Sequence, residues 1–291
     1  MKKILAGLFL LGSVLVFAAG EKRVPIEKMV VDQQTSLIYL QGEETPFTGT
    51  VEKKYTSGKL EATLEFKDGK LNGKTFAYNE NGKIKTEENY INGALEGVSK
   101  SFYANGSVEF ETTFRNNIKE GVEKHYSPSG RVETEILFKN NIANGIAKQY
   151  NAEGKLEYES TFRNNVKEGV EKHYSPSGRV ETEVLFKNNI ANGIAKQYNA
   201  EGKLEYETMI VNGKREGLSK KYYPSGKLLS EVTFRNDKEE GIMKGYFENG
   251  KLQLEIPYKN GQIDGLARRY DENGQVVEQV TFKDGQEVKT K

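Results

Sequence analysis

The chain of 291 residues contains no cysteine. No disulfide forms, no thiol nucleophile exists and no lipid is carried on an N-terminal cysteine, so packing and hydrogen bonds alone hold the fold. Histidine is almost missing as well, with His125 and His173 the only two, and no serine lies in the Gly-x-Ser-x-Gly setting of an exposed nucleophile. Net charge is slight: 43 Lys and Arg stand against 42 Asp and Glu, a formal +1, which leaves no field to draw the chain to nucleic acid or anionic lipid. Long apolar runs are absent but for one, the fourteen residues from Ile4 to Phe17 behind Lys2 and Lys3. That run is short for ~30 Å of hydrocarbon. With Val16 and Ala18 at the small-residue positions before a cut, residues 1–18 are expected to be a signal peptide. Cleavage then leaves no integral membrane segment and sends the chain to the periplasm, the cell surface or the extracellular space.

What is present is periodic. Glycine recurs every 24 residues from Gly49 to Gly265, and a second glycine follows nine residues after each, from Gly58 to Gly274. Ten units therefore share one frame without an insertion. A two-unit block has been copied inside them: Phe114 to Glu159 matches Phe162 to Glu207 except at Ile118/Val166 and Ile136/Val184. Repeats at such a period stack into arrays. Hydrophobic residues are only 36% and charged residues 29%, a thin supply for two compact cores, while 16 Tyr and 14 Phe argue against a disordered chain.

Numbering the first glycine of a unit as position 0, position 5 is Tyr or Phe in nine units, position 11 is always Leu, Ile or Val, and position 17 is aromatic in nine. The alternation of Val132, Thr134, Ile136 and Phe138 with Arg131, Glu133 and Glu135 has period two, the mark of a strand. Positions 19 and 20 read Asp-Gly, Asn-Gly, Asn-Asn or Asn-Asp throughout, which suits the left-handed backbone of a hairpin turn. The pattern predicts an all-β, elongated, single-layer antiparallel meander or solenoid of about twenty strands, roughly 95 Å long at ~4.8 Å per strand. Residues 19–48 are expected to cap its first edge, residues 49–288 to form the ten repeats and residues 289–291 to be a tail. A three-residue loop would pair position 17 with position 21. The other turn would pair position 5 with 11 and position 1 with 15, setting Val122 across from Ile136.

Candidate functional residues follow from the rows that these positions make. His125 and His173 are copies four strands apart, roughly 19 Å, too far to share a metal, so neither a metal site nor a cofactor is expected. Glutamates at positions 12 and 14, with Arg131, Lys155, Arg179 and Lys203 at position 10, read as a solvated charge ladder rather than a catalytic pair. The face across from it is expected to carry an aromatic and basic strip, Lys124, Tyr126, Lys148, Tyr150, Lys172, Tyr174, Lys196 and Tyr198, able to hold a protein or glycan partner.

The unit from Gly73 to Gly93, with Tyr78, Gly82, Ile84 and Tyr90, resembles the bacterial variant of the membrane occupation and recognition nexus (MORN) repeat. The resemblance covers residues 49–288 and implies a β-hairpin array. It also implies two non-enzymatic roles: a binding scaffold at the cell surface or a host interface, or, as many bacterial members are labelled, an antitoxin that neutralises one specific toxin. Graded loss of binding on deleting units marks the first, and one indispensable segment marks the second.

Overall fold

The computed structural model describes residues 22–288, so the expected signal peptide and the tail lie outside it. The chain divides into a unit ending at Leu95 and a unit from Glu96 onward. Each is an antiparallel meander in which every 24-residue repeat supplies two strands, as Ile142–Tyr150 and Leu156–Arg163 do. The fold is all-β and single-layered. Its core is thin: among the described residues the buried apolar side chains are Phe47, Val51 and Phe234.

With so little apolar burial, hydrogen bonds along the array carry the order, and they explain which residues repeat. At one edge, positions 19 and 20 form two-residue turns with both residues left-handed, Asn140 at φ 52° and Asn141 at φ 64°. Successive turns are laced together. The Asn141 amide donates to the Lys119 carbonyl at 3.1 Å, while its side-chain oxygen accepts from the Lys119 amide at 2.8 Å. Asn165 repeats this on Ala143, and Asn189 on Lys167. In most repeats the residue before the position-0 glycine adds a third bond, as Glu120 accepts from the Asn140 amide at 3.0 Å.

At the opposite edge, Ser127 to Gly130 form a loop closed by Ser127 N–H to Arg131 C=O at 2.8 Å, with Gly130 left-handed at φ 84°. These loops are laced too. Lys203 Nζ donates to the Pro224 carbonyl one unit on at 2.7 Å, and Arg131 reaches the Ala152 carbonyl likewise. The basic residues at position 10 therefore cap loop carbonyls and do not join the glutamate ladder expected for them.

The register departs from the expected one because each repeat carries bulges. Tyr126 does pair with Val132, but an extra residue at Glu133 then shifts the ladder, so Val122 lies across from Leu137 and Ile136 across from Glu123. The turn has two residues rather than three, pairing Lys139 with Ile142 and Phe138 with Ala143. Gly145, at φ 147°, occupies the widened stretch between Ala143 and Ala147. Only glycine takes that backbone without strain.

The first unit has its own edge. Arg23–Pro25 runs parallel to Gly49–Lys54, pairing Val24 with Val51. Met29–Val31 and Ile38–Leu40 form a separate hairpin, whose Ile38 amide donates to the Gly69 carbonyl at 2.9 Å. Phe47 and Val51, each 2% exposed, are buried beneath this cap.

Candidate functional site

The observed register sorts side chains onto two faces of the second unit. Positions 2, 13, 15, 17 and 22 share one, here termed the phenylalanine face. Positions 1, 3, 5, 14 and 16 share the other, the tyrosine face.

Within the copied block, the phenylalanine face sets a hollow repeat between two filled ones. In filled repeats, Lys167 pairs with the buried carboxylate of Glu171, which also accepts from Tyr158 Oη at 2.8 Å and meets His173 Nε2 at 3.3 Å. The Lys167 ammonium lies 4.6 Å from the Phe186 ring centre. Burial pulls the Glu171 carboxyl upward, but the bonds from Lys167, Tyr158 and His173 outweigh it and hold it below its ordinary range. Lys119, Glu123 and His125 repeat the cluster, with Phe110 in edge contact with the imidazole at 4.4 Å. Between the two clusters, Ala143 and Ala147 replace the Lys and Glu, leaving a hollow of about 340 Å³ lined also by Ile136, Phe138 and Phe162. The histidines belong to these clusters and are not isolated strand positions. Lys and Glu four apart with His two further on, as in Lys119, Glu123 and His125, is the sequence signal that marks them. Among the described residues no cluster of His, Asp and Glu is arranged to hold a metal.

The tyrosine face brings together all eight residues of the expected strip, and it also carries the position-14 glutamates, which the sequence pattern had set on the opposite face. Lys124 Nζ lies 3.0 Å from Glu135, and Lys172 lies between Glu159 at 3.8 Å and Glu183 at 3.7 Å. Lys148 faces Glu135 on one side and Glu159 on the other, and Lys196 faces Glu183 and Glu207. Each tyrosine hydroxyl donates to a glutamate of the preceding repeat: Tyr126 to Glu111 at 2.6 Å, Tyr150 to Glu135 at 3.0 Å and Tyr198 to Glu183 at 2.9 Å; Tyr174 bonds Glu159. The strip is thus a neutral Lys–Glu–Tyr lattice rather than a basic one.

Beside the lattice runs a row that sequence parity had hidden. Position 1 is aliphatic and exposed from Val98 at 46% through Ile146 and Ile194 at 49% to Ile242 at 54%, and Leu137, Leu185 and Met209 at position 16 thicken it. Single exposed aliphatics are ordinary, whereas a line of them along seven repeats is not.

The lattice has a measurable alkaline limit. Burial first, and the glutamate hydrogen bond second, push Tyr126, Tyr150, Tyr174, Tyr198, Tyr222 and Tyr246 from 10.0 up to about 12. A pKa raised in the folded state stabilises below the unfolded value and loses that effect as pH climbs through the folded one. Stability is therefore expected to be level below pH ~10 and to fall steeply by pH ~12. Denaturant titration across that range, alongside ultraviolet titration of tyrosinate, measures it; tyrosines ionising near 10 before any unfolding would contradict it.

An array of laced β-hairpins, one per 24-residue unit, defines a repeat protein. The MORN repeat variant matches ten consecutive segments, 47–68, 71–92, 95–116, 119–140, 143–164, 167–188, 191–212, 215–236, 239–260 and 263–284, and the chain belongs to that family, a non-catalytic repeat type. No curated protein matches the sequence. Among the described residues no helix is long and apolar enough to cross a membrane.

Proposed function

We propose that the protein is an exported, non-enzymatic scaffold that binds a protein partner through its tyrosine face. The observation that carries this reading is the exposed aliphatic row from Val98 to Ile242 beside the Lys–Glu–Tyr lattice. An aliphatic row matches the apolar core of a protein interface, and the lattice matches its polar rim. The tyrosine hydroxyls already serve the glutamates, and the lattice is neutral. Both features favour a protein over a glycan or a nucleic acid. Export is supported by Lys2, Lys3 and the apolar run that follows them.

The test is affinity capture from the cell envelope or host-cell lysate with single-face variants. Ile146→Glu combined with Ile194→Glu is expected to weaken capture at least tenfold, about 1.4 kcal/mol, with the β-type fold retained, because both side chains are already half in water. Lys148→Glu, which sets three carboxylates side by side, is expected to weaken it several-fold. Gln149→Ala, on the other face, should bind as the parent does. Capture lost through Gln149→Ala alone would place the contact surface on the phenylalanine face.

A further inference from the structure

We infer that the partner of the aliphatic row is a second copy of this chain, joined to the first by a two-fold axis that runs parallel to the strands. The inference rests on the reading of the row as a protein-binding surface and names its occupant.

Three features select a second copy. The first is area. Ten aliphatic side chains, each between 38% and 54% exposed, offer on the order of 800 Å², which is what one partner contributes to a stable interface of standard size. The second is pitch. The row advances one position-1 side chain every second strand, ~9.6 Å, through seven repeats, and a partner that meets every member of it must carry the same step. This chain carries it. The third is charge. Along the neighbouring lattice, lysine and glutamate alternate from strand to strand, as Glu135, Lys148, Glu159, Lys172 and Glu183 do. A two-fold axis parallel to the strands reverses the array yet keeps both lattices on the same side of the interface. Set between two adjacent strands, it brings each lysine against a glutamate of the other copy. An axis along the array would instead carry the lattices to opposite sides and leave both unpaired. Because the contact is isologous it closes at two copies and does not grow into a fibre.

The arrangement fixes which residues lie near the axis. Val170 stands midway along the row, three repeats from Val98 and three from Ile242. The axis passes beside the Val170 strand, so the two copies of Val170 are neighbours, while the two copies of Val98 are separated by six repeats, roughly 58 Å.

The chain has no native cysteine, which makes the experiment clean. Sedimentation equilibrium of the full chain at micromolar concentration is expected to give twice the monomer mass. Val170→Cys is expected to crosslink to its own copy with a short bismaleimide, and Val98→Cys is not, although Val98→Cys mixed with Ile242→Cys is. Ile146→Glu with Ile194→Glu should return the monomer with its β-type circular dichroism unchanged. If that double variant loses its circular dichroism, the crosslinking contrast decides alone, since Val170 is 41% exposed and tolerates replacement. A monomeric parent chain, or Val98→Cys crosslinking as readily as Val170→Cys, overturns the two-fold dimer. Should the parent be monomeric while capture of another protein still depends on Ile146 and Ile194, the dimer alone is wrong; should capture be insensitive to them too, the binding role of the row falls with it.

Discussion

Excision of residues 121–168 is expected to leave a folded array two repeats shorter, with β-type circular dichroism and a single cooperative melt. The junction joins Glu120 to Gly169 and restores Lys119-Glu120-Gly-Val-Glu in the order that the copied block already has. The Lys119 amide then meets Asn189 in place of Asn141, with identical chemistry. Excision of 121–156, one and a half repeats, is expected to break the sheet. It joins Glu120 to Glu157, so one strand leaves an Asn-Asn turn and runs straight into the next, Asn164-Asn165, with no Ser-Pro-Ser-Gly loop between them. That second turn arrives on the edge where the loops stack, its lacing bonds have no partners, and every side chain beyond the junction is on the wrong face. Two separate melts or an unfolded chain is the expected result. Equal tolerance of both excisions would mean that the two edges are interchangeable.

The second large effect separates two kinds of glycine. A Cβ on Gly145 would lie 2.5 Å from Leu137 Cδ2, at φ 147°, whereas a Cβ on Gly154 meets nothing within 4 Å, at φ 79°. Gly145→Val combines backbone strain with a steric clash and is expected to cost about 3 kcal/mol. Gly154→Val carries strain alone, about 1–2 kcal/mol. Gly193, with Leu185 at 2.5 Å, is the same site copied two repeats on, and its cost should add to that of Gly145. Truncating Leu137 to Ala should recover much of the loss in a Gly145→Ala background, since the contact is with the leucine side chain. Chemical denaturation of the two single valine variants measures the difference. Equal costs would show that Leu137 moves aside freely.

The frame, the hairpins and the family were legible because glycine, aromatic and turn residues recur without a slip over ten repeats. The register was not, and the cause is specific. A bulge at Glu133 inserts one residue that is polar and fits either face, so alternation alone carries no trace of it. The expected Val122–Ile136 pair therefore became Val122–Leu137, and with it the aliphatic row moved into view. The same shift placed Glu135 and Glu159 beside Lys148, and turned an expected basic strip into a neutral lattice. Two consecutive left-handed asparagines, as at Asn140 and Asn141, form a two-residue turn. The side chain of the second bonds along the array, a role that period-two reasoning within one hairpin does not reach. The Lys–Glu–His clusters were hidden for a related reason. Lys119 and Glu123 are four apart across a bulged glycine, a spacing associated with helices rather than strands.

Side-chain footprinting by hydroxyl radicals, on the chain alone and under conditions where it is fully associated or partner-bound, tests most directly the claim that the tyrosine face is the working surface. Protection is predicted to follow the row, at Val122, Leu137, Ile146, Val170 and Ile194, with Phe138, Phe162 and the hollow at Ala143 and Ala147 labelled equally in both states. Protection confined to Phe138, Phe162 and Tyr158, with the aliphatic row labelled as before, would contradict the account.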